Sequence, residues 1–170
     1  YGNFLMAILQ SFINSSAYQE SMTRITEGKS LLMMIFWMGI VAPAAEEMIF
    51  RWLIYLRLRD WMKLPVAAVI SGVVFGIYHG NIVQGIYASI LGTAFAWILE
   101  MSGNIYSSML LHMGANIWSL VITEYALDLF SMKYGVQILI LIYLILLAGV
   151  VCCLTHFEKV YSVRKKKRMI

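Results

Sequence analysis

Glu46, Glu47 and Arg51 stand in a run that is otherwise apolar from Leu31 to Leu56. His79, His112 and Asn116 each stand in another apolar run. Glu47 and Arg51 are four residues apart, so on a helix they share a face and can pair. Glu46 lies about 100° round from Glu47 and looks at a different neighbour. The spacing therefore predicts one carboxylate neutralised by arginine and one left for chemistry. His112 and Asn116, also four apart, share a face of their own helix. A free carboxylate in apolar surroundings can act as general base on water. Imidazole and amide donors can hold a developing oxyanion. Base, oriented water and oxyanion support are what peptide-bond hydrolysis needs.

The same atoms admit two other readings. In the first, Glu46, His79 and His112 are three ligands of a catalytic zinc, which would take a water as its fourth. The His-Glu-x-x-His helix pair of many zinc proteases is absent. In the second, the charges form a buried network that only fixes helix packing, and His112 and Asn116 make interhelical hydrogen bonds worth roughly 0.6–2 kcal/mol each. Other polar residues carry weaker signals. Ser107, Ser108 and Ser119 are near His112 but lie on no nucleophile turn. Asn81 and Gln84 follow a glycine and suit a cap or cavity mouth. Glu100, near Gly103, reads as a solvated turn residue, and His156 as interfacial.

The elements that must position these groups are membrane spans. Of 170 residues, 61% are hydrophobic and 13% charged, with a mean hydropathy of +0.78. Soluble domains run at about 25% charged. The composition specifies an all-α, polytopic transmembrane bundle forming one integral membrane domain over residues 1–170. Within it, residues 1–30 are an N-terminal partial or interfacial helix and a polar connection, and 31–123 the helical core carrying the site. Residues 136–157 make the last span and 158–170 a basic tail. Five spans are expected: Leu31–Leu56, Leu64–His79, Ile82–Leu99, Ile105–Val121 and Val136–Cys153. Pro43 lacks an N–H, so a kink or break is expected near Val41. That would put Glu46 and Glu47 in the first turn of a new helix, at its positive end. Arg57–Lys63 and Thr123–Gly135 read as loops, and Pro65 as a helix start. Gly85, Ala88, Ser89 and Gly92 would let helices approach closely.

The net charge of +4 owes much to the tail Arg164–Arg168. That tail suits a cytoplasmic anchor beside anionic lipid, not nucleic acid. Four spans separate it from the basic Arg57–Lys63 segment, so both can be cytoplasmic. Adjacent Cys152 and Cys153 point about 100° apart on a helix, which disfavours a mutual disulfide. The chain begins at Tyr1 without a signal-peptide layout, and an N-terminal portion is expected to precede it.

Glu46-Glu47-x-x-x-Arg51, Phe75-x-x-x-His79 and His112-x-x-x-Asn116, in this order and on separate apolar segments, resemble the CPBP family. This is the CAAX protease and bacteriocin-processing, or Abi, family of intramembrane proteases. The resemblance implies that Glu46 activates water with His79 orienting it. It also implies that His112 and Asn116 stabilise the oxyanion, and that Glu47 and Arg51 support the site. Some members were described as metalloproteases, while the prenyl-protein-processing ones resemble metal-free glutamate proteases. No cofactor is therefore the first expectation and zinc the alternative. Members commonly have more than five spans. The eukaryotic branch cleaves three residues from prenylated CAAX proteins. Bacterial members are linked to peptide or bacteriocin maturation, self-immunity and sorting, and this compact, lysine-tailed chain is more similar to them.

The expected function is thus an intramembrane endopeptidase acting on a membrane-associated peptide or protein, in a bacterial plasma membrane with the C-terminus cytoplasmic. The alternative is a non-catalytic immunity or scaffold protein. A small proton-coupled transporter is disfavoured by the lack of repeat symmetry. One tension stands in the pattern. Counted from the cytoplasmic ends, Glu46, His79 and His112 lie at depths of roughly 15, 22 and 10 Å.

Overall fold

The computed structural model describes Glu20, Thr23 and residues 27–167. The expected N-terminal helix and most of the connection after it lie outside the described residues. From Leu31 onward the described residues form five helices: α1 over Leu31–Trp61, α2 over Leu64–Tyr78, α3 over Ile82–Ser102, α4 over Ile105–Ser131 and α5 over Gly135–Lys167. Each of the five expected apolar runs falls in one of them, and no strand occurs among the described residues. Leu31–Trp61, Ile82–Ser102 and Ile105–Ile122 are long and apolar enough to cross a membrane, and Leu64–Tyr78 is a shorter apolar helix. The chain falls into two compact units, residues 1–120 and residues 121–170.

In the first unit, α1 departs from expectation. Pro43 neither breaks nor interrupts it: Val41 and Ala42 keep right-handed helical dihedrals. The helix instead widens into π turns over Ile35–Val41 and again over Met48–Tyr55. In the first of these the Ala42 N–H reaches back five residues to the Trp37 carbonyl. A π turn absorbs a residue that cannot join the ordinary ladder without ending the helix. Glu46 and Glu47 consequently sit mid-helix. Their neighbouring backbone N–H groups are already used, and no helix start is there to favour a carboxylate.

The basic segment expected as a loop is mostly helical, since α1 runs on to Trp61 and only Met62 and Lys63 link it to α2. Pro65 opens α2 as expected. Gly80 (φ +66°) makes the next turn, and the Asn81 side chain caps α3 by accepting from the N–H groups of Val83 and Gln84. α3 closes on Gly103 in the left-handed conformation.

α2 and α3 form a tight antiparallel pair whose seam is built from small residues. A Cβ on Gly72 would come within 2.6 Å of the Ser89 carbonyl and 2.7 Å of the Thr93 nitrogen. One on Gly76 would strike the Ser89 hydroxyl and the Gly85 carbonyl. Ser89 and Thr93 turn their hydroxyls back onto the Gly85 and Ser89 carbonyls (2.7 and 2.9 Å), leaving no polar hydrogen loose in the seam. Tyr55, Ala67, Ala68, Ala96 and Leu99 make one buried apolar cluster, and Phe50, Phe75 and Ala88 a second. Outward positions such as Leu32, Trp37, Trp52 and Leu53 are exposed. That is the arrangement for a lipid surround, where apolar side chains lose nothing by facing out.

The second unit contains the end of α4 and all of α5. The expected Thr123–Gly135 loop is helical as far as Ser131, and the basic tail is helical as far as Lys167. Cys152 and Cys153 are free thiols.

Candidate functional site

The site is built on the middle of α1. Glu47 and Arg51, one turn apart, have no exposed side-chain surface, and Arg51 Nε lies 3.2 Å from Glu47 Oε2. Neither of these two atoms has a hydrogen bond in good alignment. The contact is therefore a close ion pair, held by charge rather than by a linear N–H···O bond. The guanidinium also donates from Nη2 to the Gly92 carbonyl of α3 (3.2 Å). It lies 4.7 Å from the Phe75 ring centre and 5.2 Å from that of Phe95. A planar cation clasped by two ring faces is a geometry that arginine satisfies and lysine does not.

α4 brings His112 onto this pair. Its Nδ1 is 3.0 Å from Glu47 Oε1 and its Nε2 is 3.6 Å from Glu46 Oε2. The ring stacks on Phe95 at 4.7 Å and meets Phe75 edge-on at 5.5 Å. Glu47 Oε1 accepts from the His112 Nδ1–H, and the second ring nitrogen faces Glu46. Glu46 keeps 17% of its side-chain surface exposed, against none for Glu47. The predicted division between a neutralised and an accessible carboxylate is present in the geometry. The sequence did not indicate that the neutralised one also grips His112.

His79 closes α2, half-buried. Its Nδ1–H donates to the Phe75 carbonyl at 2.8 Å and its ring meets Phe75 edge-on at 4.7 Å. Both His79 and His112 lie within electrostatic reach of Glu46. Asn116 is placed differently: its amide Nδ2 donates to the Met38 carbonyl of α1 at 2.9 Å. The structure thus gathers Glu46, Glu47, Arg51, His79 and His112, and sets Asn116 one turn along on the backbone of α1. Among the described residues, no three His, Cys, Asp or Glu side chains are grouped as a metal requires.

Three partners were not singled out from the sequence. Phe95 stacks on His112, and no pattern distinguishes it from other core aromatics. The Gly92 carbonyl is a backbone group invisible to motif reading. Glu100 is a correction. Far from a solvated turn residue, it is helical and 19% exposed, accepting from the Tyr55 hydroxyl (2.8 Å) and from Arg59 Nε and Nη2 (3.1 and 2.9 Å). The signal was available. Arg51, Tyr55 and Arg59 recur every four residues on one face, so a nearby acid in an apolar helix had donors waiting.

A family model described as "Type II CAAX prenyl endopeptidase Rce1-like" matches residues 28–118, more than half of the chain and a range within which Glu46 to Asn116 fall. The chain is also 29% identical over 89 residues to the "Putative membrane peptidase YdiL" of Bacillus subtilis (strain 168). That alignment covers 52% of this chain and 36% of the relative, so it spans about a third of the relative's length. No solved structure matches. By its matched core and its ordered motifs, this integral membrane protein belongs to the Rce1-like family of type II CAAX prenyl endopeptidases, the CAAX-protease group that its motifs resemble.

Proposed function

We propose that the chain is an intramembrane endopeptidase that hydrolyses a peptide bond in a membrane-associated peptide or protein, using water activated by Glu46 and no metal. The observation that carries this reading is the clasp of His112 between two unlike carboxylates, one sealed and paired with Arg51 and one partly open. Glu46 takes a proton from water, and the new oxygen bonds to the scissile carbonyl carbon. The proton then passes to the leaving amine as the C–N bond breaks. His79 orients the water, and its Nδ1–H is spent on the Phe75 carbonyl, which leaves Nε2 to accept. His112 donates an N–H from Nε2 to the charge that develops on the carbonyl oxygen while its Nδ1–H is held by Glu47, so in this role the ring carries a proton on both nitrogens, and Arg51 anchors Glu47. A bacterial plasma membrane with the basic C-terminus on the cytoplasmic side is the proposed setting.

The test is cleavage of membrane-anchored peptides, prenylated and unmodified, by the protein in proteoliposomes, read by mass spectrometry. Glu46→Gln is expected to lower turnover by roughly 100-fold or more, the scale of losing a general base. Turnover in the wild type should survive a zinc chelator. Normal cleavage by the Glu46→Gln variant would end the base assignment, and loss of activity on chelation would restore the metal reading.

A further inference from the structure

The hydroxyls of Ser89, Thr93 and Ser108 turn back onto carbonyls three or four residues earlier in their own helices. That is the ordinary resort of a serine or threonine inside a helix. Ser71 of α2 does otherwise. It has no exposed surface, and its Oγ donates across to the Phe50 carbonyl of α1 at 2.9 Å. A serine has one O–H to give, and this bond uses it. Phe50 lies within the π turn over Met48–Tyr55, one residue before Arg51 and one turn after Glu46. Ser71, Phe75 and His79 recur every four residues, so they form one stripe of α2. Above the Ser71 bond, the Phe75 ring meets the Phe50 ring edge-on at 5.0 Å. One turn further, His79 packs on Phe75 within electrostatic reach of Glu46. Another face of α2 is the glycine seam, where Gly72 and Gly76 lie against the backbone of α3. Van der Waals contact at glycines sets how close two helices come, whereas a hydrogen bond also sets a direction.

We propose that Ser71 is a positioning residue: by holding the Phe50 carbonyl it fixes the rotation of α2 against α1, and so aims His79 at the water that Glu46 activates. Two turns of one stripe separate the hydroxyl from the imidazole. Side chains sit ~5–6 Å from the helix axis, so a rotation of about 20° carries the ring by roughly 2 Å. A misplacement of ~1 Å is enough to lower a rate about 100-fold. Only the effect on turnover rests on the peptidase reading.

The experiment compares Ser71→Ala, which removes the donor, with Ser71→Thr, which keeps it, on the full chain in detergent. Ser71→Ala is also made in a His79→Ala background. The first measurement is kcat and KM for the cleaved peptide. Ser71→Ala is expected to lower kcat by roughly 10–100-fold with KM nearly constant, as for a misplaced catalytic group. Ser71→Thr should hold kcat within about threefold of wild type, since its hydroxyl can make the same bond. Without His79, Ser71→Ala should cost less than about threefold, because the group it aims is gone. The second measurement is the His79 ring ¹⁵N signals, assigned by His79→Ala. Nδ1 is bonded to the Phe75 carbonyl of the same helix and should stay. Nε2, the ring atom not so held, should shift in Ser71→Ala and return in Ser71→Thr. An unaltered kcat in Ser71→Ala, a full loss that persists without His79, or an Nε2 signal that ignores the substitution would each overturn the proposal. Should the wild type cleave no peptide, the peptidase reading fails and the Nε2 signal still decides the positioning role. Ser71→Cys, a weaker donor of similar shape, replaces the threonine variant if that does not accumulate, and should then fall between serine and alanine.

Discussion

At the scale of single residues, adjacent glutamates acquire different roles from their surroundings. Glu47 is sealed, paired with Arg51 and bonded to His112, whereas Glu46 keeps part of its surface open. Removing one member of a buried ion pair strands the other charge, at a cost of roughly 3–5 kcal/mol. Glu47→Ala should therefore destabilise the protein by that order, measured as loss of thermal stability in detergent. Glu46→Ala should cost clearly less, since Glu46 is partly exposed and His112 keeps its closer contact to Glu47. Equal costs would favour a purely structural role for both carboxylates. The arginine obeys the same logic. Its ring contacts and its bond to Gly92 depend on a flat guanidinium, so the position is one of shape as well as charge.

At the scale of elements, two devices hold the site's helices in place. The first is a ladder between α1 and α3: Arg51 reaches the Gly92 carbonyl, and two turns on, Arg59 and Tyr55 reach Glu100. Both arginine contacts span 41 residues, as parallel helices in fixed register require. The second is the small-residue seam between α2 and α3, where van der Waals contact does what hydrophobic exclusion does in water. Gly76→Ala sets a methyl into the Gly85 carbonyl and should cost roughly 1–3 kcal/mol through forced separation of the pair. Gly85→Ala meets only the Gly76 carbonyl at 3.1 Å and should be milder. Comparing the two melting temperatures in one detergent tests the seam, and a milder effect at Gly76 would contradict it. Of these elements, the helix order and the α2–α3 approach were legible in the chain. The through-running α1 was not, because a proline reads as a break to any rule built on the 3.6-residue turn, and a π turn removes the conflict that the rule assumes.

At the scale of the whole molecule, the exposed surface of the first unit carries many large apolar side chains, Leu32, Trp37, Trp52 and Leu53 among them. Trp52 lies within the Met48–Tyr55 turn and is 56% exposed, while Trp61 ends α1 at 89%. In single-tryptophan variants reconstituted into bilayers, brominated acyl chains should quench Trp52 more than Trp61, and aqueous iodide the reverse. Equal iodide access to both would argue against α1 as a span. The match to the family covers residues 28–118, which lie in the first unit, and the motif residues lie there too.

By itself, the sequence determined the all-helical membrane class, the five apolar runs, the residues able to do chemistry and the family they resemble. Those properties are local: hydropathy adds up along the chain, and a motif is a spacing on one helix. Tertiary structure alone decided that His112 lies between Glu47 and Glu46, that Glu100 is bound by Tyr55 and Arg59, and that Asn116 answers Met38. Such pairings depend on the rotation and tilt of separate helices against each other, and two π turns in α1 shift that rotation in a way no residue period records. Depths counted along each helix put Glu46 and His112 at different levels, yet their side chains meet, because packing fixes position in three dimensions and the count in only one.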